Sequence, residues 1–445
     1  MYRPAIGSIQ TICSVAMAVS MAGPIAIQAE GGDALVSSVN ATITTVDGVL
    51  LWTDSVFAKA LALRAGKNTV VLVSLGALIV SKQMTEGLMA KVDLKRHQLL
   101  LSATHTHSGP GAWAEGYVGE RFAGPYDENR LAAIVDSTAA AIKRAVSLME
   151  PASVGFASFD ATPYVRNRLI RTTTDVDGEF SMMLVRQLDG DQALWGSFAA
   201  HATTLGDDNL LVSGDYPGLW EKALEDSAAD LAMFAAGGVG SHGPRGDGRG
   251  YDRAKSTAEP LADSAIATMS RLSLEDSSAV WSFGLSVDLP PTQWRPEDVF
   301  GETGKYRLSP VITGWMLPLS DSYMNAVVID STVMISVPVA FSGELWLTLK
   351  RYARRDGTRL VATSFGGDYL GYIVPDRYFH LNEYETRTMS WLGPYAGSYF
   401  SQLIRGICRR SLSRQIVGRM VCRALGVFDW TFCTDRRTLT VSQSN

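Results

Sequence analysis

Apolar residues in this chain fall mostly into short runs bounded by turn formers, and the spacing inside each run separates strands from helices. Residues 69–75, Thr69-Val70-Val71-Leu72-Val73-Ser74-Leu75, are continuous and β-branched, the pattern of a strand buried on both faces. Residues 79–92 return to helical spacing, and Leu99-Leu100-Leu101-Ser102-Ala103 is again a strand pattern, so strands and helices alternate as in an α/β layer architecture. The clearest helix is 126–149, where Leu131, Ile134, Val135, Ala139, Ile142, Val146 and Met149 form one stripe and most polar residues, Thr138 excepted, lie off it. A hairpin is predicted from 180–187 and 193–200, joined across Asp189-Gly190. Further strands read at 154–159, 233–236, 332–337 and 359–364, with a helix over 343–352. Residues 36–51 are weakly patterned, and 56–63 are alanine-rich and ambiguous.

Two strands end on histidine. The run 99–103 continues into Thr104-His105-Thr106-His107 and the turn Ser108-Gly109-Pro110-Gly111. If extended geometry persists that far, the period of two points His105 and His107 to the same side, a metal-site geometry; a hydrogen-bonded pair at a strand end is the ordinary alternative. The second hairpin strand ends at His201, and two such strands in one sheet would bring His105 and His201 together. Strand 233–236 enters the loop Gly237-Gly238-Val239-Gly240-Ser241-His242. Ser241 and His242 are adjacent, but sequence neighbours seldom face each other and no third partner is evident, so a serine nucleophile is not supported.

With 445 residues, 46% hydrophobic and 19% charged, the chain is globular rather than disordered. A net charge of −5 argues against nucleic acid as a partner. The cysteines, Cys13, Cys408, Cys422 and Cys433, show no CxxC spacing and so no cysteine zinc site; an oxidising compartment would allow one disulfide near the C-terminus. Residues 4–29 are uncharged and follow Arg3, which resembles a signal peptide and implies a secreted or periplasmic protein. Between residues 403 and 425 there are six arginines and no acid, a basic amphipathic pattern compatible with contact at an anionic membrane surface.

The run Ala103-Thr104-His105-Thr106-His107-Ser108-Gly109-Pro110-Gly111 closely resembles the THTHSGPG motif of the neutral/alkaline non-lysosomal ceramidases, zinc-dependent amidases that split the N-acyl bond of ceramide. Other stretches fit in the same order: Asn167-Arg168, His201-Ala202-Thr203, Ser213-Gly214-Asp215-Tyr216-Pro217-Gly218, Gly371-Tyr372-Ile373 and Tyr384-Glu385. The resemblance implies an α/β fold of mixed sheets with flanking helices, like the ceramidase catalytic domain, over residues 30–400, between a signal peptide (1–29) and a basic, Cys-containing extension (401–445). It implies Zn2+ on His105, His201 and Tyr372, with Arg168 lining the site; His107 is expected beside the ligands, supporting them or touching the substrate, and Tyr384 or Arg168 to stabilise the oxyanion. Three positions depart from the family: Gly76 stands where members carry an aspartate, Gly237 at the active-site serine, and Ala340 at the glutamate ligand.

Glu344 is expected to substitute for that ligand, directly or through a water. On a helix it would share a face with residue 340, about 6 Å further along. If the chain is extended through 341 and 342, Glu344 instead caps or pairs elsewhere. The function implied is zinc-dependent hydrolysis of an N-acyl amide, a ceramide-like lipid or another small amide, by metal-activated water. Two alternatives stand beside it: a catalytically impaired binding protein, and a barrel-type metal amidohydrolase, which also opens with HxH on a strand.

Overall fold

A computed structural model describes residues 36–46, 56–295, 309–319 and 321–424. The leader-like residues 1–29 and the end of the basic extension, 425–445, lie outside the described residues. The first half runs β1 (Val36–Val46), β2 (Ala58–Ala65), β3 (Asn68–Leu75), α1 (Lys82–Met89), β4 (Leu99–Ala103), α2 (Tyr117–Ala123), α3 (Glu128–Ser147), β5 (Glu150–Asp160), β6 (Val165–Asn167), β7 (Glu179–Gln187) and β8 (Gln192–Phe198). The second half runs α4 (Asp215–Glu225), β9 (Leu231–Ala236), β10 (His242–Pro244), α5 (Gly250–Met269), β11 (Ser277–Asp288), α6 (Pro310–Met316), β12 (Asp321–Ile329), β13 (Thr332–Ser336), β14 (Ala340–Phe341), α7 (Gly343–Arg355), β15 (Arg359–Thr363), β16 (Tyr372–Ile373) and α8 (Ala396–Ala424).

β1 is the hinge of the sheet system. Its first residues pair with β11, leading through β12 and β13 to β15, while its later residues pair with β2 on one side and β5 on the other. From β2 the ladder continues to β3 and β4, and from β5 to β7, β8 and β9. An inner core gathers one face from β2–β5, β7–β9, β11–β13 and β15, including Leu61, Leu72, Leu100, Met183, Trp195, Met233, Val327, Met334 and Val361. The ambiguous segment 56–63 is thus resolved as strand β2. Its leucines, Leu61 and Leu63, face the inner core, and Ala60 and Ala62 face outward, where small side chains let α3 pack close.

Helices cover the outer faces: α1 and α3 over β2–β4, α4 and α5 over β7–β9, and α7 and α8 over β11–β15. Thr138, the polar exception on the α3 stripe, is buried and donates its hydroxyl to the Ile134 carbonyl. Helix α8 starts before the basic region, and Leu403, Ile404, Ile407 and Cys408 pack in the same core as α7. Cys408 is a buried free thiol whose pKa burial pushes up to about 12.

Mixed sheets with flanking helices are therefore the architecture, and the barrel alternative is overturned. Among the described residues only β3–β4, β8–β9, β13–β15 and the short β14–β16 run parallel, so no parallel barrel closes. Three of these parallel pairs, β3–β4, β8–β9 and β13–β15, deliver the loops after their carboxyl ends to one region, the usual place for a site in such sheets.

Candidate metal centre

The strand carrying the HxH motif stops at Ala103, earlier than the period-two argument requires. His105 has φ +64, with its N–H on the Ala77 carbonyl at 3.1 Å, so the pleat does not aim the histidines. They converge nonetheless, because the turn brings His107 Nε2 to 3.4 Å from His105 Nε2. His105 is buried with its ring stacked on Phe365 at 3.9 Å. His201, just past β8, is also buried, and its Nε2 lies 2.9 Å from His105 Nε2. Donor nitrogens of His105, His107 and His201 all fall within 4.8 Å of one another, and among the described residues no carboxylate joins that group.

Hydrogen bonds at the far side of each ring decide which nitrogen faces the centre. His105 Nδ1 lies 2.6 Å from the Leu78 carbonyl and His201 Nδ1 lies 2.8 Å from the Val239 carbonyl. A carbonyl only accepts, so both Nδ1 atoms carry the proton and both Nε2 atoms present lone pairs inward. Burial, then the positive groups around them, hold both histidines well below the usual imidazole pKa. Two unprotonated nitrogens 2.9 Å apart repel unless a cation lies between them. Two nitrogens on a tetrahedral zinc at 2.0–2.1 Å would be about 3.3 Å apart, so these residues fit such an ion with little rearrangement.

Tyr372, on β16, places its hydroxyl 2.8 Å from His201 Nε2. Burial raises its pKa. Arg168, directly after β6, donates through Nη2 to the Tyr372 hydroxyl at 3.2 Å, and its Nε lies 2.9 Å from Glu385 as an ion pair. Burial alone would lower its pKa, but Tyr372 and Glu385 outweigh that and raise it. Tyr384 is half-exposed, edge-on to the Tyr372 ring at 6.0 Å. Asp215, at φ +57 where α4 begins, accepts from the Thr204 N–H at 3.0 Å and the Thr204 hydroxyl at 2.5 Å, and so ties the loop after His201 to that helix.

The structure does not bring Glu344 to the imidazoles. Ala340 lies on a strand paired with Tyr372, so the chain is extended where a helix was needed to keep Glu344 in line. The Glu344 carboxylate accepts instead from Asn167 Nδ2 at 2.5 Å, from the Ser241 hydroxyl at 2.5 Å and from the Ser342 hydroxyl. Burial would raise its pKa, yet those hydroxyls, the His242 ring and Asn167 hold it below the usual carboxylate value.

Ser241 and His242 do face each other, contrary to the rule for sequence neighbours, at 2.8 Å between Oγ and Nδ1. Their polarity is wrong for a nucleophile. The Asp177 N–H donates to His242 Nε2 at 3.0 Å, so Nδ1 carries the proton toward Ser241, and both side chains are fully buried. Two family departures are built into the backbone. A Cβ at Gly76 would lie 2.9 Å from Val56 Cβ and 3.0 Å from the Phe57 nitrogen, and one at Gly237 would sit 3.1 Å from the Phe198 carbonyl.

Residues 53–244 match the family model described as neutral/alkaline non-lysosomal ceramidase, N-terminal. Over those residues the chain is similar to that family, and two curated relatives carry the same likeness. It is 26% identical over 165 residues to neutral ceramidase of Pseudomonas aeruginosa and 28% identical over 170 residues to neutral ceramidase A of Dictyostelium discoideum. Each match covers 33% of this chain and 24% of the relative, so the chain matches about a quarter of the curated relatives' length. The crystal structure of neutral ceramidase from Pseudomonas aeruginosa superposes with a TM-score of 0.71 at 16% identity, covering 86% of this chain and 75% of that one. A ceramidase complexed with C2 gives 0.69 at 16% identity, covering 84% and 74%. The fold thus extends the likeness past residue 244, where Tyr372 and Tyr384 lie. Sequence reasoning missed the Leu78 and Val239 carbonyls, which carry no residue-type signal, and the part Glu385 plays, which its place beside Tyr384 alone did not disclose.

Proposed function

We propose that this protein is a zinc-dependent amide hydrolase of the ceramidase family that cleaves an N-acyl amide of ceramide-like chemistry, with His105, His201 and Tyr372 holding the ion. The observation that carries the reading is the pair of buried, inward-facing Nε2 lone pairs 2.9 Å apart, each fixed by a backbone carbonyl behind its ring. Zinc there would polarise an amide carbonyl and acidify a water.

The chain's own residues supply the rest. Arg168 keeps its charge and is held between Glu385 and Tyr372, so a fixed cation faces the place where an amide oxygen gains negative charge. Tyr384, at the exposed edge, supplies a second hydroxyl donor there. With glycine at 237 and Ser241 enclosed, hydrolysis proceeds without an acyl-enzyme. Leu210 and Leu211 are exposed, the former by 93%, on a loop that Asn209 and Ser213 tie to Ser108. Trp315, 77% exposed, stands on α6, whose Met316 packs in the same core as Tyr372. Exposed apolar side chains of this kind suit contact with an acyl chain presented at a membrane surface. No helix among the described residues is long and apolar enough to cross one.

The test is zinc content together with hydrolysis of a short-chain N-acylsphingosine by the whole chain and by His201→Ala. One zinc per chain with turnover, both lost in the variant, is the expected result. Zinc and lipid bound without turnover would favour the binding-protein alternative, and no zinc at all would refute the reading.

A further inference from the structure

The family resemblance makes His105 a ligand and leaves His107 beside it, supporting the ligands or touching the substrate, but in this chain the acidic ligand is absent and the coordination position needs another donor. We propose that His107 is a third imidazole ligand, filling the place for which Ala340 offers no carboxylate. This rests on the reading of the centre as a zinc site. Three observations carry it.

The first is geometric. His107 Nε2 lies 3.4 Å from His105 Nε2, against about 3.3 Å for two nitrogens on one tetrahedral zinc, and donor nitrogens of all three histidines lie within 4.8 Å of one another. The second is the shortage of acids. Glu344 is consumed by Asn167, Ser241 and Ser342, and Glu385 is paired with Arg168. The third is where the backbone places residue 340. The β14–β16 ladder buries the Ala340 methyl in the core that also holds Tyr372 and Phe365, on the site's own side, with no polar atom to offer. His107 is the exposed member of the trio, at the side of the site open to solvent.

Three neutral imidazoles leave the full double charge of the ion uncancelled by a carboxylate, beside the Arg168 cation. The site is then more electropositive than one with a carboxylate ligand and favours developing negative charge on the amide oxygen.

The experiment measures zinc affinity by competition with a chromophoric chelator, and the visible and near-ultraviolet spectra of the Co2+ form, for the whole wild-type chain, His107→Ala and His107→Cys. Because His107 is exposed, the circular dichroism of the metal-free variants should match wild type. The expected result is about a hundredfold or greater loss of zinc affinity in His107→Ala, at or beyond the upper end of what outer-shell changes cost. Co2+-loaded His107→Cys should show a thiolate-to-cobalt charge-transfer band that wild type lacks. Wild-type affinity in His107→Ala, or no such band in a Co2+-binding His107→Cys protein, overturns the proposal while the zinc reading stands. A wild-type chain that binds no zinc overturns both.

Discussion

Glu344→Gln separates the structural account of this residue from a coordinating one, because the two forecast opposite outcomes for stability and metal. The carboxylate now accepts from three donors: Ser241 and Ser342 on Oε2, and Asn167 on Oε1. Glutamine offers one oxygen and one NH2. With its oxygen toward the serines, its NH2 meets the Asn167 NH2, and Asn167 cannot turn over without losing the bond its Oδ1 accepts from the Ile170 N–H at 2.8 Å. With its oxygen toward Asn167, its NH2 meets Ser241, whose oxygen already accepts from His242 and from the Gly343 N–H at 3.2 Å. Either way one buried donor goes unsatisfied and charge-assisted bonds become neutral ones, which costs about 2 kcal/mol. Glu344→Ala, which strips all three donors, should cost about 3–5 kcal/mol, as for a broken buried charge network. For a chain of this size each kcal/mol moves the melting midpoint by about 1–2 °C, so Glu344→Gln should melt about 2–4 °C lower. Differential scanning calorimetry on metal-free protein reads this, and chelator competition on the same samples should give zinc affinity within about threefold of wild type. An unchanged midpoint with a tenfold loss of zinc affinity would refute the reasoning and return Glu344 to the coordination shell.

Metal-free protein should lose stability as pH falls below about 6.5. His105 and His201 are held neutral in the fold but take up protons once unfolded, so the unfolded state binds more protons in that window, at about 2.7 kcal/mol per pH unit for two such groups; a flat urea midpoint between pH 7 and 5 would contradict this. Arg168→Lys replaces a fork that engages both Tyr372 and Glu385 by a point charge, and should lower kcat/KM for a short-chain N-acyl amide by about 10²–10³ while zinc content holds; equal kinetics would remove Arg168 from the oxyanion role. Lys350→Met strands the buried Asp177 carboxylate, now bound at 2.8 and 2.9 Å, and should destabilise by about 3–5 kcal/mol in chemical denaturation; a loss under 1 kcal/mol would mean water reaches Asp177. Mass spectrometry of protein quenched during turnover should find no acyl group on Ser241, whose hydroxyl is enclosed; an acylated Ser241 would overturn the direct-hydrolysis route.

Local pattern was enough for most of the scaffold. The β-branched run 69–75, the stripe on 126–149 and the turn at Asp189-Gly190 each carry their structure in nearest-neighbour chemistry, and the structure has β3, α3 and the β7–β8 hairpin in those places. Residues 56–63 were ambiguous because alanine suits a helix or a strand facing a close-packed helix, and that choice depends on α3, some seventy residues away. The motif histidines were visible from residue type and order alone.

Their orientation was not, because it rests on a positive φ at His105 and on the carbonyls of Leu78 and Val239, which belong to loops distant in sequence and identical in every residue type. The fate of Glu344 turned on whether residue 340 is helical or extended. Pairing with β16, thirty-two residues later, makes it extended and sends the carboxylate to Ser241 and Asn167 rather than to the imidazoles. Spacing along a chain states which donors exist; long-range backbone pairing and burial select the atoms that face one another, since only folded contacts can leave a lone pair without a proton or a carboxylate without a free oxygen.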